Sequence, residues 1–311
     1  MRSGSVNLII LTEPIADNGR ALLEKSQLTV YQKPVNLSWQ QWLTKRPELR
    51  VAVGLIIRAS QLTEHDLEQL PALKIIARHG VGVDNLPLPA IQKRGIRLTY
   101  TPGINAQSVA ELTLALMLMS LRRLPETIAE QQRLTGSMLS GKTVGLIGYG
   151  TIAQTVEKLL QPFAVKILVW NHRPKKILYG KQVTLEQLLQ QSSIISLHMP
   201  ALPETRGFLN QERLKLLSSQ AILINTARGT LIDSDALYQQ LKNQQLKGAA
   251  VDVWSAGERY DLADFQKLAN FIVTPHIGAQ TAETLAASAQ QCASEVLRCL
   301  RGEKAIKLYR Y

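Results

Sequence analysis

Apolar residues recur along this chain in two rhythms. Short runs rich in Val, Ile and Leu have the composition of strands buried on both faces. They fall at Asn7–Leu11, Leu28–Tyr31, Val51–Ile57, Lys74–Ala77 and Ile96–Thr99, then at Thr143–Ile147, Val165–Trp170, Ser193–Leu197, Ala221–Asn225, Ala249–Val253 and Asn270–Thr274. Between them, apolar positions return at helical spacing. Helices are predicted over Ile15–Lys25, Trp39–Lys45, Glu64–Leu70, Leu86–Arg94, Leu185–Gln191, Gln211–Leu217 and Ser234–Gln244, with a final helix over Thr281–Arg301. Ser38 with Gln41, and Thr63 with Asp66, supply capping signals at two of the starts. Strand and helix in alternation imply parallel sheets covered by helices on both faces.

A turn at Tyr100–Gly103 interrupts the alternation and leads into a helix over Asn105–Leu121, apolar on most sides and so expected to be buried, partly against a partner subunit. The boundary between two domains is placed there: 1–102, completed by 281–311, and 103–280. Each has the length to bury its own core.

The stretch Lys142–Asn171 carries the first chemistry. An apolar strand runs directly into Gly148-Tyr149-Gly150-Thr151-Ile152-Ala153, followed by an amphipathic helix and a second buried strand. Gly148 permits a tight turn, Gly150 lets backbone approach a pyrophosphate, and Ala153 lets helix and strand pack closely. Phosphates would meet the free N–H groups of Gly150, Thr151 and Ile152 at the positive end of the helix. Framed by strand, helix and strand, the motif reads as a dinucleotide-binding (Rossmann) unit. NAD sites place an acid about twenty residues on, to bind the ribose hydroxyls. Here stand Asn171, His172, Arg173, Lys175 and Lys176 instead. A carboxylate would repel a 2′-phosphate and these cations would attract one, so NADP(H) is expected over NAD(H). The other reading of these cations is a solvated loop.

Charge adds a little. Lys and Arg exceed Asp and Glu by 36 to 24, a net +12, but they are spread over the whole length with few aromatics among them. That favours anionic small molecules over specific nucleic-acid recognition. Cys292 and Cys299, seven apart on one helix, read as small buried hydrophobes in a reducing compartment. Leu8–Leu11 is too short for a secretory core and Leu112–Leu121 too short to span a bilayer, so a cytoplasmic protein without membrane or metal partners is expected.

Three consecutive strands of the second half end in polar groups, where parallel sheets bind ligands: Asn225-Thr226-Ala227-Arg228-Gly229, Asp252 with Glu258 in the following loop, and Thr274-Pro275-His276-Ile277-Gly278. Reduction of a 2-keto acid puts negative charge on the carbonyl oxygen. His276 has the intrinsic pKa to supply the proton, Glu258 could stabilise the imidazolium, and Arg228 offers a planar fork for the substrate carboxylate.

These stretches carry a family resemblance. Gly80-Val81-Gly82-Val83-Asp84-Asn85, Thr101-Pro102-Gly103 with Ser108–Glu111, Gly141–Gly150, Ser196–Pro200 with Glu204-Thr205, Asn225–Gly229, Asp252-Val253-Trp254 and Thr274–Gly278 are similar to the D-isomer-specific 2-hydroxyacid dehydrogenases over nearly the full length. The resemblance implies a Rossmann cofactor lobe and a flavodoxin-like substrate lobe, both doubly wound, closing over a cleft, in a homodimer that uses the Asn105–Leu121 helix. It implies Arg228, Glu258 and His276 as catalytic residues and the backbone at Val81 and Gly82 as the holder of the substrate carboxylate. Arg58 and Asn105 would also face the substrate, while Thr226, Asp252, His198, Thr205 and Gly278 would line the cofactor.

Three departures from the family pattern stand out. Its Glu usually falls five places after the Asp and precedes Pro; here Gly257 holds that place, Glu258 follows, and Arg259 replaces the Pro. One extra loop residue would still let Glu258 reach His276. Asn171 replaces the usual acid, and Arg122–Ser140 is shorter than the family's dimer arm and lacks its Trp. Ile57-Arg58-Ala59 resembles the phosphoglycerate dehydrogenase branch, but one cation is few for a phosphate. Glyoxylate or hydroxypyruvate reduction is therefore the first expectation, D-3-phosphoglycerate oxidation the second, and a non-catalytic NAD(P)-sensing corepressor-like role the alternative of another class.

Overall fold

In the computed structural model, which describes residues 7–310, every one of these apolar runs forms a strand of a parallel sheet. The strands and helices of the first half are β1 (Leu8–Leu11), α1 (Asp17–Lys25), β2 (Thr29–Gln32), α2 (Trp39–Lys45), β3 (Gly54–Ile57), α3 (Glu64–Glu68), β4 (Ile75–Arg78), α4 (Leu88–Lys93) and β5 (Arg97–Thr99). They pair in the order β2-β1-β3-β4-β5, the flavodoxin-like winding. The second half opens with α5 (Ala106–Arg122) and α6 (Leu124–Glu130). It continues with β6 (Thr143–Ile147), α7 (Thr151–Leu160), β7 (Lys166–Trp170), β8 (Lys181–Gln182), α8 (Leu185–Gln191), β9 (Ile194–Leu197), α9 (Gln211–Leu214), β10 (Ile222–Asn225), α10 (Ser234–Lys242), β11 (Gly248–Val251), α11 (Leu262–Phe265) and β12 (Phe271–Val273). Its sheet runs β12-β11-β10-β9-β6-β7-β8. The winding reverses between β6 and β9, so the carboxyl ends of those two strands mark the ligand crevice.

Two units result, residues 7–104 with 280–310 and Asn105–Ala279. The expected first domain also takes in residues 1–6 and 311, which lie outside the described residues. In the first unit, Leu55, Ile57 and Ile76 pack under α2–α4 on one sheet face, while Ile9, Leu11 and Ile56 meet α1 and the final helix α12 (Ala282–Leu300) on the other. In the second, Leu146, Val169 and Ile224 lie under α5 and α7, and Leu197, Leu223 and Val251 under the helices of the opposite face. Strand residues point alternately to the two faces, so both must be apolar, which is why the runs lack a polar alternation.

The two predicted capping boxes form. Gln41 N–H donates to Ser38 Oγ at 3.1 Å, and Ser38 N–H to Gln41 Oε1 at 3.0 Å; Thr63 and Asp66 repeat the exchange at α3. Three elements went unread. Helix α6 buries none of its residues, so it has no apolar stripe to recognise; β8 has two residues and α11 four. The cysteines depart from expectation in one respect. Cys292 is buried, but Cys299 is only half-buried, packed at the border of the same cluster.

Candidate functional site

The Gly-rich turn joins β6 to α7 at the winding reversal. Gly148 has φ +90°, and a Cβ there would lie 2.5 Å from the His198 carbonyl oxygen after β9, so both conformation and space require glycine. Gly150 is different. Its φ of −86° suits any residue, and a Cβ would meet no protein atom within 4 Å. The space above it is open. No side chain caps α7, leaving the N–H groups of its first turn, Thr151 and Ile152 included, directed at that space, while Ala153 is wholly buried against the sheet. This cradle fits a pyrophosphate. Beyond β7, Asn171 is half-buried and His172, Arg173, Lys175 and Lys176 are exposed.

On the same sheet edge stand the ends of β10, β11 and β12. Asn225, fully buried, accepts from Ala227 N–H at 3.0 Å and donates through Nδ2 to the Arg228 carbonyl at 2.9 Å, templating the turn that delivers Arg228. The Arg228 guanidinium donates to the Ala227 carbonyl at 2.7 Å. Asp252, 2 % exposed, collects three donors from the next strand end: Thr274 Oγ1 at 2.6 Å, Ile277 N–H at 2.8 Å and Gly278 N–H at 2.8 Å. Between those donors sits His276, exposed, with a left-handed φ of +57°. Such a conformation costs a non-glycine residue about 1 kcal/mol, and the buried carboxylate beneath it holds the turn in place.

Glu258 lies in the loop after β11. Gly229, beside Arg228, packs on the Trp254–Ser255 backbone so closely that a Cβ would clash, which fixes the start of this loop against the Arg228 turn. Its remainder wraps around Asp235, in the first turn of α10. Asp235 accepts from the N–H groups of Glu258 (3.0 Å), Arg259 (3.1 Å) and Tyr260 (3.2 Å), and Ser234 Oγ donates to the Ser255 carbonyl at 2.7 Å. The Glu258 side chain is exposed, and among the described residues no hydrogen bond joins it to His276.

The remaining residues expected on the cofactor side are tied into the fold. His198 Nε2 lies 2.9 Å from Ser196 Oγ, and desolvation pushes the imidazole down to about 4, so it is neutral near pH 7. Thr226 Oγ1 meets Thr113 Oγ1 of α5 at 2.9 Å; Thr205 Oγ1 closes a short 3₁₀ turn with Leu202 and Pro200; Gly278 lies against Asp252 and Val109. Asn105 is the N-cap residue of α5 but makes no side-chain cap bond.

In the first unit, the N–H groups of Val81 and Gly82 enter no backbone hydrogen bond among the described residues, while the Gly82 carbonyl accepts from Arg78 Nε at 2.6 Å. Arg58 donates to the Pro14 carbonyl at 2.9 Å and to Gln280 Oε1 at 3.4 Å. Glu13 shapes its loop, accepting from Ser60 Oγ at 2.7 Å and Arg58 N–H at 3.0 Å. Burial raises its pKa, but bonds from Thr12, Ser60 and Arg58 outweigh that and leave it lowered. Next to the free N–H groups, His79 is buried with Nε2 unpartnered, and desolvation with the Arg58 charge pushes it down to about 4.

Sequence reasoning passed over Asn225 as a template, Asp235 as the anchor of the Glu258 loop, and Glu157 on the buried face of α7. Glu157 did leave a signal: an acid at core spacing among Ala153, Val156 and Leu160.

Comparison with known proteins gives the family. Residues 114–278 match the family model for the D-isomer specific 2-hydroxyacid dehydrogenase NAD binding domain. The chain is 33% identical to glyoxylate reductase of Thermococcus litoralis over 314 residues, covering 95% of this chain and 94% of that one. It is 34% identical to D-3-phosphoglycerate dehydrogenase of Methanocaldococcus jannaschii over 96% of its own length, while spanning only 58% of that longer protein. A solved structure from Thermus thermophilus superposes with a TM-score of 0.90 at 33% identity, covering 97% of this chain and all of that one. The chain belongs to the D-isomer-specific 2-hydroxyacid dehydrogenase family.

Proposed function

We propose that this protein reduces a small 2-keto acid, of the size of glyoxylate or hydroxypyruvate, to its D-2-hydroxy acid with NADPH. The observation that carries the reading is the turn after β12, where a buried carboxylate holds an exposed imidazole in a left-handed conformation on the edge that also bears the open Gly-rich cradle. A bound nicotinamide supplies or accepts hydride. The chain's own residues do the rest. His276 donates a proton to the carbonyl oxygen as charge develops there and takes it back in the reverse direction. Arg228 pairs with the substrate carboxylate and polarises the neighbouring carbonyl. Glu258, exposed and not bonded to His276 in this structure, would stabilise the imidazolium only once its loop brings the carboxylate to the ring. The unpaired N–H groups of Val81 and Gly82 suit a carboxylate.

Arg173 and Lys175, exposed beyond β7, support NADP(H), as does the absence of an acid at position 171. Arg58 already donates to Pro14 and Gln280, which weighs against a dedicated phosphate site for 3-phosphoglycerate. A sensing protein of the corepressor kind would not need His276. Helix α6, with no residue buried, suits a homodimer contact. Among the described residues no helix is long and apolar enough to cross a membrane. The test is a panel of glyoxylate, hydroxypyruvate and 3-phosphohydroxypyruvate assayed with NADPH and NADH in parallel. Fast turnover of the two small acids with NADPH supports the reading. Preference for the phosphorylated acid, or no turnover at all, overturns it.

A further inference from the structure

The turn that carries Arg173 and Lys175 is tied to the Gly-rich loop by a buried polar junction. Glu157, wholly buried on α7, accepts from the Tyr149 hydroxyl and, through Oε1, from the N–H groups of Tyr179 (3.0 Å) and Gly180 (2.7 Å). The Tyr149 hydroxyl in turn accepts from Leu178 N–H at 3.0 Å, and its ring is 2 % exposed. Tyr149 is the residue between Gly148 and Gly150. Its own N–H donates to Asn171 Oδ1 at 3.1 Å, and Asn171 Nδ2 donates to the Arg173 carbonyl at 2.9 Å. Gln182 Oε1 closes the far side by accepting from Lys175 N–H at 3.0 Å.

A carboxylate at a helix-core position is costly unless several donors meet it, and here three do. All of them belong to the phosphate-binding turn or to the loop after β7. Recognition of a 2′-phosphate needs cations held where the ribose lies, and affinity is lost when their loop must be ordered on binding. The network also explains why position 171 is an amide. An Asp could accept from Tyr149 N–H, but it could not donate to the Arg173 carbonyl and would face that oxygen with a second one.

We propose that Tyr149 and Glu157 are positioning residues for cofactor discrimination: they hold the 171–182 turn against the Gly-rich loop so that Arg173 and Lys175 are presented to a 2′-phosphate. This rests on the NADP(H) reading above. The test is calorimetric binding of 2′,5′-ADP and 5′-ADP to the full chain. Wild type binds 2′,5′-ADP more tightly by about tenfold or more. Tyr149→Phe, which keeps the ring and removes the hydroxyl, cuts that ratio by about fivefold while 5′-ADP affinity changes less than about twofold. Glu157→Gln acts in the same direction. Equal weakening of both ligands would show a merely structural role and overturn the proposal. If wild type discriminates and Arg173→Ala abolishes the preference, but neither junction variant alters it, the proposal falls and the cofactor reading stands. If wild type binds the two alike, both fall. Should neither variant fold, amide exchange in wild type decides: protection of the Leu178, Tyr179 and Gly180 N–H groups supports the junction, and exchange at free-peptide rates overturns it.

Discussion

Replacing Asp252 by Asn tests whether a buried carboxylate fixes the His276 turn. The side-chain shape is kept, but one oxygen becomes an NH₂ group among three donors: Thr274 Oγ1, Ile277 N–H and Gly278 N–H. One backbone N–H loses a charge-assisted bond and confronts a donor, and the site is almost dry. Losing one such bond costs about 1.5 to 3 kcal/mol, and the turn also stores about 1 kcal/mol at the left-handed His276 that relaxation would release. A turn that shifts moves the imidazole, and a displacement of about 1 Å costs about 10²-fold in rate. Asp252→Asn is therefore expected to lower the urea-derived stability by about 2 kcal/mol and kcat/KM for the keto acid by about 10²-fold, the loss falling mainly on kcat. Steady-state kinetics beside urea unfolding monitored by tryptophan fluorescence measures both. A stability loss with kcat/KM within about threefold of wild type would show that the imidazole is held by something else.

The two glycines of the cofactor turn are predicted to separate. Gly148→Ala, at φ +90° and against the His198 carbonyl, destabilises by about 2 kcal/mol or more in thermal unfolding, whereas Gly150→Ala leaves stability within about 1 kcal/mol and weakens dinucleotide binding at least tenfold. His79 predicts acid sensitivity. Its folded pKa of about 4 lies below the unfolded 6.5, so the unfolded state binds the proton first, and stability present above pH 6.5 falls as pH drops toward 4. By pH 5 the loss from this group is about 2 kcal/mol, and a His79→Asn variant should show a correspondingly flatter stability profile from pH 7 to 5. Glu258→Gln should lower kcat about tenfold or more; turnover within a few-fold of wild type would remove Glu258 from the proton step.

The strands were legible because both sheets are covered on both faces, so each run is apolar without alternation. The parallel order then puts Asn225, Asp252 and Thr274 on one edge, which is why Arg228 and His276 could be singled out from strand ends alone. What the residues did not disclose is how that edge is braced. The Asp252 carboxylate acts 25 residues away at Ile277, and Asp235 23 residues away at Glu258, and neither separation leaves a periodic trace. The loop after β11 shows the limit most clearly. One extra residue was visible, but its conformation is set by three N–H groups turned toward Asp235, and the Glu258 side chain emerges exposed instead of bonded to His276. Helix α6 escaped for a simpler reason: none of its residues is fully buried, so no apolar stripe marks a face.

The most direct measurement is keto-acid reduction by His276→Asn with NADPH. Asn tolerates the left-handed φ of +57° that His276 adopts, so the turn should keep its shape while the proton donor is gone. The account predicts a fall in kcat of about 10² to 10⁴ with 2′,5′-ADP binding intact. Turnover within a few-fold of wild type would contradict it.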